Sequence, residues 1–289
     1  MGIAAILAVT LAAIFFVPAL VSTLAWVENH RSGQWRRQRE LLGGRLLSGL
    51  LRSFANSVWT LWVTVVALPL GALAGYRREA RPGSLPPVIL VHGLYHNPAA
   101  WFVLRRRLRR AGYADVRCYG YASFFRFFED IAGGLARMVL EAARNAPGGR
   151  VALVGHSLGG LVIRAACADE RVRAQVRIAG VATLGTPHRG STLAGMLGIG
   201  RLARGLAPGG EVLRLVRALP VGTYPAVSLY TPTDGMVLPL SGALLEEREL
   251  ANGWREETLP ATSHVGLLYS REAARRVLAF LDAVLKAEG

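Results

Sequence analysis

The chain of 289 residues is almost without lysine: Lys286 stands against 33 arginines. Acid is scarce too, with 19 Asp and Glu against 34 Lys and Arg, for a formal net charge of +15. Such a charge could suit nucleic acid, but the arginines are spread through the chain with no nucleic-acid motif and no basic stripe interleaved with aromatics. No nucleic-acid partner is expected. The arginine excess is read as biased base composition, with attraction to anionic lipid as a secondary result. Cysteine is limited to Cys118, in a strand pattern, and Cys167, in a helical one, and both read as buried and unpaired. No internal repeat or long low-complexity tract interrupts the chain. His92 and His96 have the four-residue spacing of helical metal ligands, but Gly93 and the adjoining strand argue against a helix there, so neither metal nor cofactor is expected.

Charge is missing altogether from two windows, Ile3 to Val27 and Phe54 to Tyr76, of 25 and 23 residues. At ~1.5 Å per residue these reach about 37 and 34 Å, against a hydrocarbon core of ~30 Å, so both are expected to span a bilayer. The first lacks the basic n-region of a signal peptide and is too long for its apolar core. Arg31, Arg36, Arg37, Arg39, Arg45 and Arg52 lie between the windows, whereas Arg77, Arg78 and Arg81 with Glu79 follow the second. By the positive-inside rule the connecting loop is cytoplasmic and the remainder of the chain periplasmic, as in a two-helix protein of a bacterial inner membrane. Leu42, Leu46, Leu47, Leu50 and Leu51 share a helical face opposite Arg45 and Arg52, which suits a segment lying along the membrane surface.

Beyond residue 80 the pattern changes. Strand-like runs at about 87–91, 115–119, 151–155, 177–184, 226–230 and 254–259 alternate with helical patterns near 99–111, 129–145, 158–169, 240–251 and 271–286. Alternation of buried strands with amphipathic helices predicts an α/β domain with a mostly parallel sheet. Inside it, Val151-Ala152-Leu153-Val154 runs into Gly155-His156-Ser157-Leu158-Gly159 and then a helix, the form of a nucleophile elbow. The glycines let neighbouring backbone pass close to a serine held in strained dihedrals, and the helix N-terminus favours negative charge beside the hydroxyl.

A serine hydroxyl needs a base within hydrogen-bond reach, and the base needs a third group to hold its tautomer. In folds built on this elbow the chain order is nucleophile, acid, histidine. Only His188 and His264 follow Ser157, and the aspartates between are Asp169 and Asp234. Asp169 ends the helix that starts at the elbow and points away from the site. Asp234 sits in the turn Thr231-Pro232-Thr233-Asp234-Gly235 after a strand, and His264 in the loop Pro260-Ala261-Thr262-Ser263-His264 after the last one. Ser157, Asp234 and His264 are therefore the expected catalytic set, with His188 structural. The run Val88 to Val91 ends in His92-Gly93-Leu94, so the backbone N–H groups of Leu94 and Leu158 are expected to form the oxyanion hole.

The stretches V-I-L-V-H-G-L-Y-H-N (Val88 to Asn97), G-H-S-L-G-G (Gly155 to Gly160) and L-G-T-P-H-R-G-S (Leu184 to Ser191) resemble the α/β-hydrolase superfamily, in its bacterial lipase and GPI-inositol-deacylase-like branch. The likeness runs from about Pro86 to Leu285 and implies a serine ester hydrolase. One departure is that Tyr76 to Pro86 is too short for the first two strands usual in such folds, so the sheet is expected to start at the strand ending in His92. The resulting expectation is a membrane anchor over 1–80, with helices at about 3–27 and 54–76, followed by an α/β-hydrolase domain over 81–289 with a lid at 191–220. Its activity would be cleavage of carboxylic, lipid acyl esters, the bilayer and a hydrophobic ester being its partners. Acyl transfer or small-ester hydrolysis would use the same triad, and a non-catalytic membrane module is the reading from another class.

Overall fold

The computed structural model describes residues 2–73 and 83–286. The charges at Arg77, Arg78, Glu79 and Arg81, the expected boundary at residue 80 and the end of the second apolar window lie outside the described residues. The N-terminal part forms α1 (Ile3–Arg31), the short α2 (Trp35–Leu41) and α3 (Leu46–Leu73), with turns at Gly33, Gly43 and Gly44, all at positive φ. The leucine segment expected to lie apart on the membrane is continuous with α3 from Leu46 onward.

The remainder alternates strand and helix: β1 (Val88–Val91), α4 (Phe102–Arg110), β2 (Val116–Tyr119), α5 (Phe128–Arg144), β3 (Arg150–His156), α6 (Leu158–Cys167), α7 (Glu170–Gln175) and β4 (Arg177–Leu184). There follow α8 (Thr192–Leu197), α9 (Arg201–Gly205), α10 (Glu211–Ala218), β5 (Ala226–Tyr230), α11 (Glu247–Ala251), β6 (Trp254–Thr258) and α12 (Arg271–Leu285). The six strands pair in the order β2-β1-β3-β4-β5-β6, every pair parallel. Among the described residues the sheet starts at β1, as the short stretch before Pro86 requires.

Strand periodicity divides the core. Ile89 and Val91 face a cluster built with α5, α6 and α10, while Val88 and Leu90 face α4 and α12. Strands covered on both faces explain why these runs are apolar throughout instead of alternating. The expected helix at 240–251 is broken. A 3-10 turn covers Leu240–Ala243, and α11 starts anew at Glu246, whose capping box with Glu249 satisfies the first free N–H groups.

The N-terminal helices do not stand apart from this domain. Gln38 Nε2 donates to the Pro232 carbonyl at 2.7 Å, and the Leu240 N–H donates to Asn29 Oδ1 at 2.7 Å. Ser53 Oγ lies 2.9 Å from the Thr233 carbonyl and 3.1 Å from that of Thr262. These contacts correct the expected topology. Gln38 belongs to the connection between the two long helices, and it touches the same domain that follows α3, so the connection cannot lie across a bilayer from that domain. The two-span arrangement with a periplasmic catalytic domain required such a separation, and the arginine asymmetry is no guide to orientation without it. Among the described residues one helix is long and apolar enough to cross a membrane, α1 over Ala12–Arg31.

Candidate active site

The elbow forms where β3 ends. Ser157 has φ 56 and ψ −126, and its side chain makes no capping bond to α6, which leaves Oγ free. Two glycines make the turn possible: a Cβ on Gly155 would fall 2.6 Å from Gly160 N, and one on Gly159 would fall 2.2 Å from the Val91 carbonyl oxygen. The second contact brings the end of β1 against the turn that carries Ser157. Gly93 is so close that a Cβ would lie 2.8 Å from Ser157 Cβ, which puts Leu94 at the mouth of the site, while Leu158 opens α6.

Asp234 and His264 reach the same place from the carboxyl ends of β5 and β6. Asp234 Oδ2 lies 2.7 Å from His264 Nδ1, and Oδ1 accepts the Met236 and Val237 N–H groups at 2.8 and 3.0 Å. Both oxygens of the buried carboxylate are thereby engaged, and since a carboxylate only accepts, His264 donates to it from Nδ1. The two loops are tied together by Thr233, whose hydroxyl donates to the Thr262 carbonyl at 2.9 Å and accepts the Thr262 N–H at 3.1 Å. Ser157, His264 and Leu94 line one cavity of about 430 Å³, mostly apolar. Ser157, Asp234, His264, Leu94 and Leu158 are thus brought to one site. Asp169 is not: it caps α7 and pairs with Arg171.

Residues 88–284 match the Alpha/beta hydrolase family over more than half of the chain. The chain belongs to that family. Its sequence is 37% identical over 112 residues to a probable esterase, PIR7A, of Oryza sativa subsp. japonica, an alignment covering 36% of this chain and 43% of that protein. It is 34% identical over 152 residues to a triacylglycerol lipase of Burkholderia plantarii, covering 46% of this chain and 40% of that one. The alignments span less than half of either relative. In structure the chain resembles the mature lipase BlEst2 of Bacillus licheniformis (TM-score 0.54, 20% identity, 72% of this chain and 94% of that one). Lipase B of Aspergillus fumigatus is similar as well (TM-score 0.54, 19% identity, 65% and 50%).

Several residues of this hydrolase site escaped sequence reasoning. The Thr186 hydroxyl donates to the Ser157 carbonyl at 3.0 Å, and Gly185, at positive φ, lies where a Cβ would meet Asp234 Oδ2 and His264 Nδ1 at 3.1 and 3.2 Å. The G-T-P-H stretch is therefore the floor under the Asp–His pair. His188, at its end, is buried against Ser228, Thr183 and Arg164, and Arg164 pairs with Glu249. His92 has both ring nitrogens in use: Tyr121 N–H reaches Nε2 at 3.2 Å, so Nδ1 donates to the Gly93 carbonyl at 2.8 Å. Tyr121 also stacks on His92 at 4.2 Å and donates to its carbonyl, which fixes the loop that presents Leu94. His156 bonds the His264 carbonyl through Nε2 at 3.0 Å.

The hairpin of α1 and α3 contributes as well. Asn56 Oδ1 accepts Thr262 Oγ1–H, Ser263 N–H and Ser263 Oγ–H at 2.9, 3.1 and 2.7 Å, holding the loop that carries His264. A signal was available: Ser53, Asn56, Ser57, Thr60 and Thr64 recur at three- and four-residue steps, one polar face on an otherwise apolar helix. The lid expected at 191–220 divides. Leu202, Leu206, Val212, Leu213 and Val216 are buried in the main core, so only the stretch through α8 to Gly200 has an outward apolar surface, and the Tyr95 hydroxyl ties it to the oxyanion loop through the Ile199 carbonyl.

Burial pushes His92 and His96 down to about 4, and lowers His156 and His188 well below the usual imidazole value. The neutral forms are held in the folded chain, whereas an unfolded histidine takes up a proton near 6.5. Stability from these groups is complete above pH 6.5 and declines as pH falls toward 4, by up to about 1.4 kcal/mol per pH unit for each. The melting midpoint should fall steeply between pH 6.5 and 4.5, and a flat profile there would contradict the buried neutral assignment.

Proposed function

We propose that the protein is a membrane-bound serine hydrolase that cleaves carboxylic esters of long hydrocarbon chains, lipid acyl esters in particular. The observation that carries this reading is the Asp234–His264 bond at a mostly apolar cavity that Ser157 also lines. Ser157 Oγ attacks the acyl carbon while His264 Nε2 takes its proton, and the carbonyl oxygen becomes an oxyanion facing the N–H groups of Leu94 and Leu158. Collapse breaks the bond to the alcohol, which leaves with the proton from His264. Water then attacks the acyl-enzyme by the same path in reverse, releasing the acid and restoring Ser157. Asp234 holds the imidazole in the tautomer that accepts at Nε2 and balances its charge once protonated. No step calls for a metal or organic cofactor.

The esterase and lipase named among the relatives support the reaction class. Two apolar surfaces support the membrane setting. Phe15, Phe16, Trp59 and Trp62 are exposed on α1 and α3, and Phe124, Phe125, Met196 of α8 and Ile199 are exposed as well, Phe124 stacking on Tyr95 of the cavity wall. The hairpin binds lipid with this outer side while its inner side holds the catalytic loops. With p-nitrophenyl dodecanoate, the full chain should show a sharp rise in rate where the ester begins to form micelles, as the stretch ending at Gly200 yields to an interface. A smooth saturation curve, with water-soluble butyrate preferred, would replace the lipid reading by a small-ester one.

A further inference from the structure

The family match begins at residue 88, so α1 and α3 lie outside the matched region. Its inner side does more than touch the domain. Val17, Pro18, Val21 and Leu61 line the cavity that reaches Ser157 and His264, together with Leu193 and Leu197 of α8. Val21 packs so tightly on Gly235, the residue after Asp234, that a Cβ there would lie 3.0 Å from Val21 Cγ1. Ala25 of α1 shares a buried cluster with Leu193 and Leu238. The wall is also held in register with the reacting groups. Ser53 bonds both the Asp234 and the His264 loop, Asn56 places three bonds on the His264 loop, and Thr60 lies 3.3 Å from the Ser263 hydroxyl.

We propose that the hairpin is half of the substrate site: the hydrocarbon chain of the ester lies between α1 and α3 on one side and α8 on the other, its carbonyl at Ser157. The inference rests on the hydrolase reading above and specifies where that substrate's chain goes. The occupant follows from the cavity itself, since Ser157 and His264 line it and its surface is mostly apolar, with Ser57, Thr60 and Thr64 as the polar residues of the α3 side. A volume of about 430 Å³ lies within the ordinary range of ~300–1,000 Å³ for ligand pockets. A chain lying along a lipid-contacting hairpin passes from bilayer to nucleophile without crossing water, which favours substrates that reside in the membrane.

The test compares kcat/KM for p-nitrophenyl dodecanoate and butyrate with the full chain in mixed micelles, and follows fluorophosphonate labelling of Ser157 as a measure of an intact site. Each methylene left uncovered costs about four-fold. Val21→Trp and Leu61→Trp should each lower the dodecanoate-to-butyrate ratio by roughly 30-fold or more, whereas Leu250→Trp, exposed on α11 and not lining the cavity, leaves the ratio where it is. Leu61→Ala cannot fail by overpacking and should raise the ratio of hexadecanoate to dodecanoate. It decides alone if the tryptophan variants no longer label. Labelled variants whose ratios all match wild type would overturn the inference and leave the hydrolase standing. Wild type that neither labels nor turns over either ester would overturn the hydrolase reading, and this inference with it.

Discussion

Ser157→Ala should reduce ester turnover by ~10⁴ to 10⁶, to the residue of rate supplied by binding and the oxyanion donors alone. Three other hydroxyls near the cavity are already committed. Ser263 is bonded to Asn56, Thr186 to the Ser157 carbonyl and Ser191 to the Met236 carbonyl. The substitution should spare the fold. Ser157 Oγ makes no capping bond, and alanine keeps the Cβ and the same strained φ of 56. Turnover and the melting midpoint should therefore part company, with the midpoint within about 2 °C of wild type on the usual scale for a surface-neutral change. Residual activity above about one per cent would put the nucleophile elsewhere, given the loss that removal of a nucleophile brings.

Asp234→Asn is expected to lower kcat by ~10³ to 10⁴. Asparagine can still accept the Met236 and Val237 N–H groups at Oδ1, so the loop keeps its shape. The position of Oδ2 then carries an amide that donates, and His264 answers by accepting at Nδ1 and placing its proton on Nε2. An imidazole in that tautomer cannot take the serine proton. His188→Ala is the matching control. It leaves Ser228 and Thr183 short of a partner beneath the sheet and disturbs the buried Arg164–Glu249 pair, so it should destabilise the fold more than it affects the folded enzyme. Activity per folded molecule should drop by no more than about ten-fold, since the side chain is outside the reacting set. If His188→Ala proved the more damaging to kcat, the triad would need to be redrawn around it.

The strands and the elbow were legible because their cause is local. An apolar run such as Val151 to Val154 is buried wherever it goes, and Gly155 and Gly159 have no other use at that spacing than a close turn. The pairing of Asp234 with His264 was legible by elimination among aspartates, given how few aspartates and histidines follow Ser157. The break at Leu244–Glu246 was missed because the helical pattern of 240–251 reads continuously, while the capping box that restarts the helix depends on three-dimensional placement of Glu246 and Glu249. The roles of Gly185, Thr186 and Tyr121 were hidden for a similar reason: each acts on a residue 29 to 79 positions away.

The N-terminal helices show the division most clearly. Two uncharged windows determined by themselves that long apolar helices would form, since helix is the structure such runs adopt when backbone polar groups must be satisfied internally. They could not determine what those helices would face. The same Ser53, Asn56 and Thr60 that a spanning helix tolerates become, in the folded chain, hydrogen-bond partners of Thr233, Thr262 and Ser263. Composition determines whether a surface must be covered, and the residues that bind, cut and cap are written into the chain at short range. Which surface covers which is decided only when loops 180 to 209 residues away present carbonyls and hydroxyls at the right spacing, because hydrogen bonds are directional and short whereas apolar burial is not.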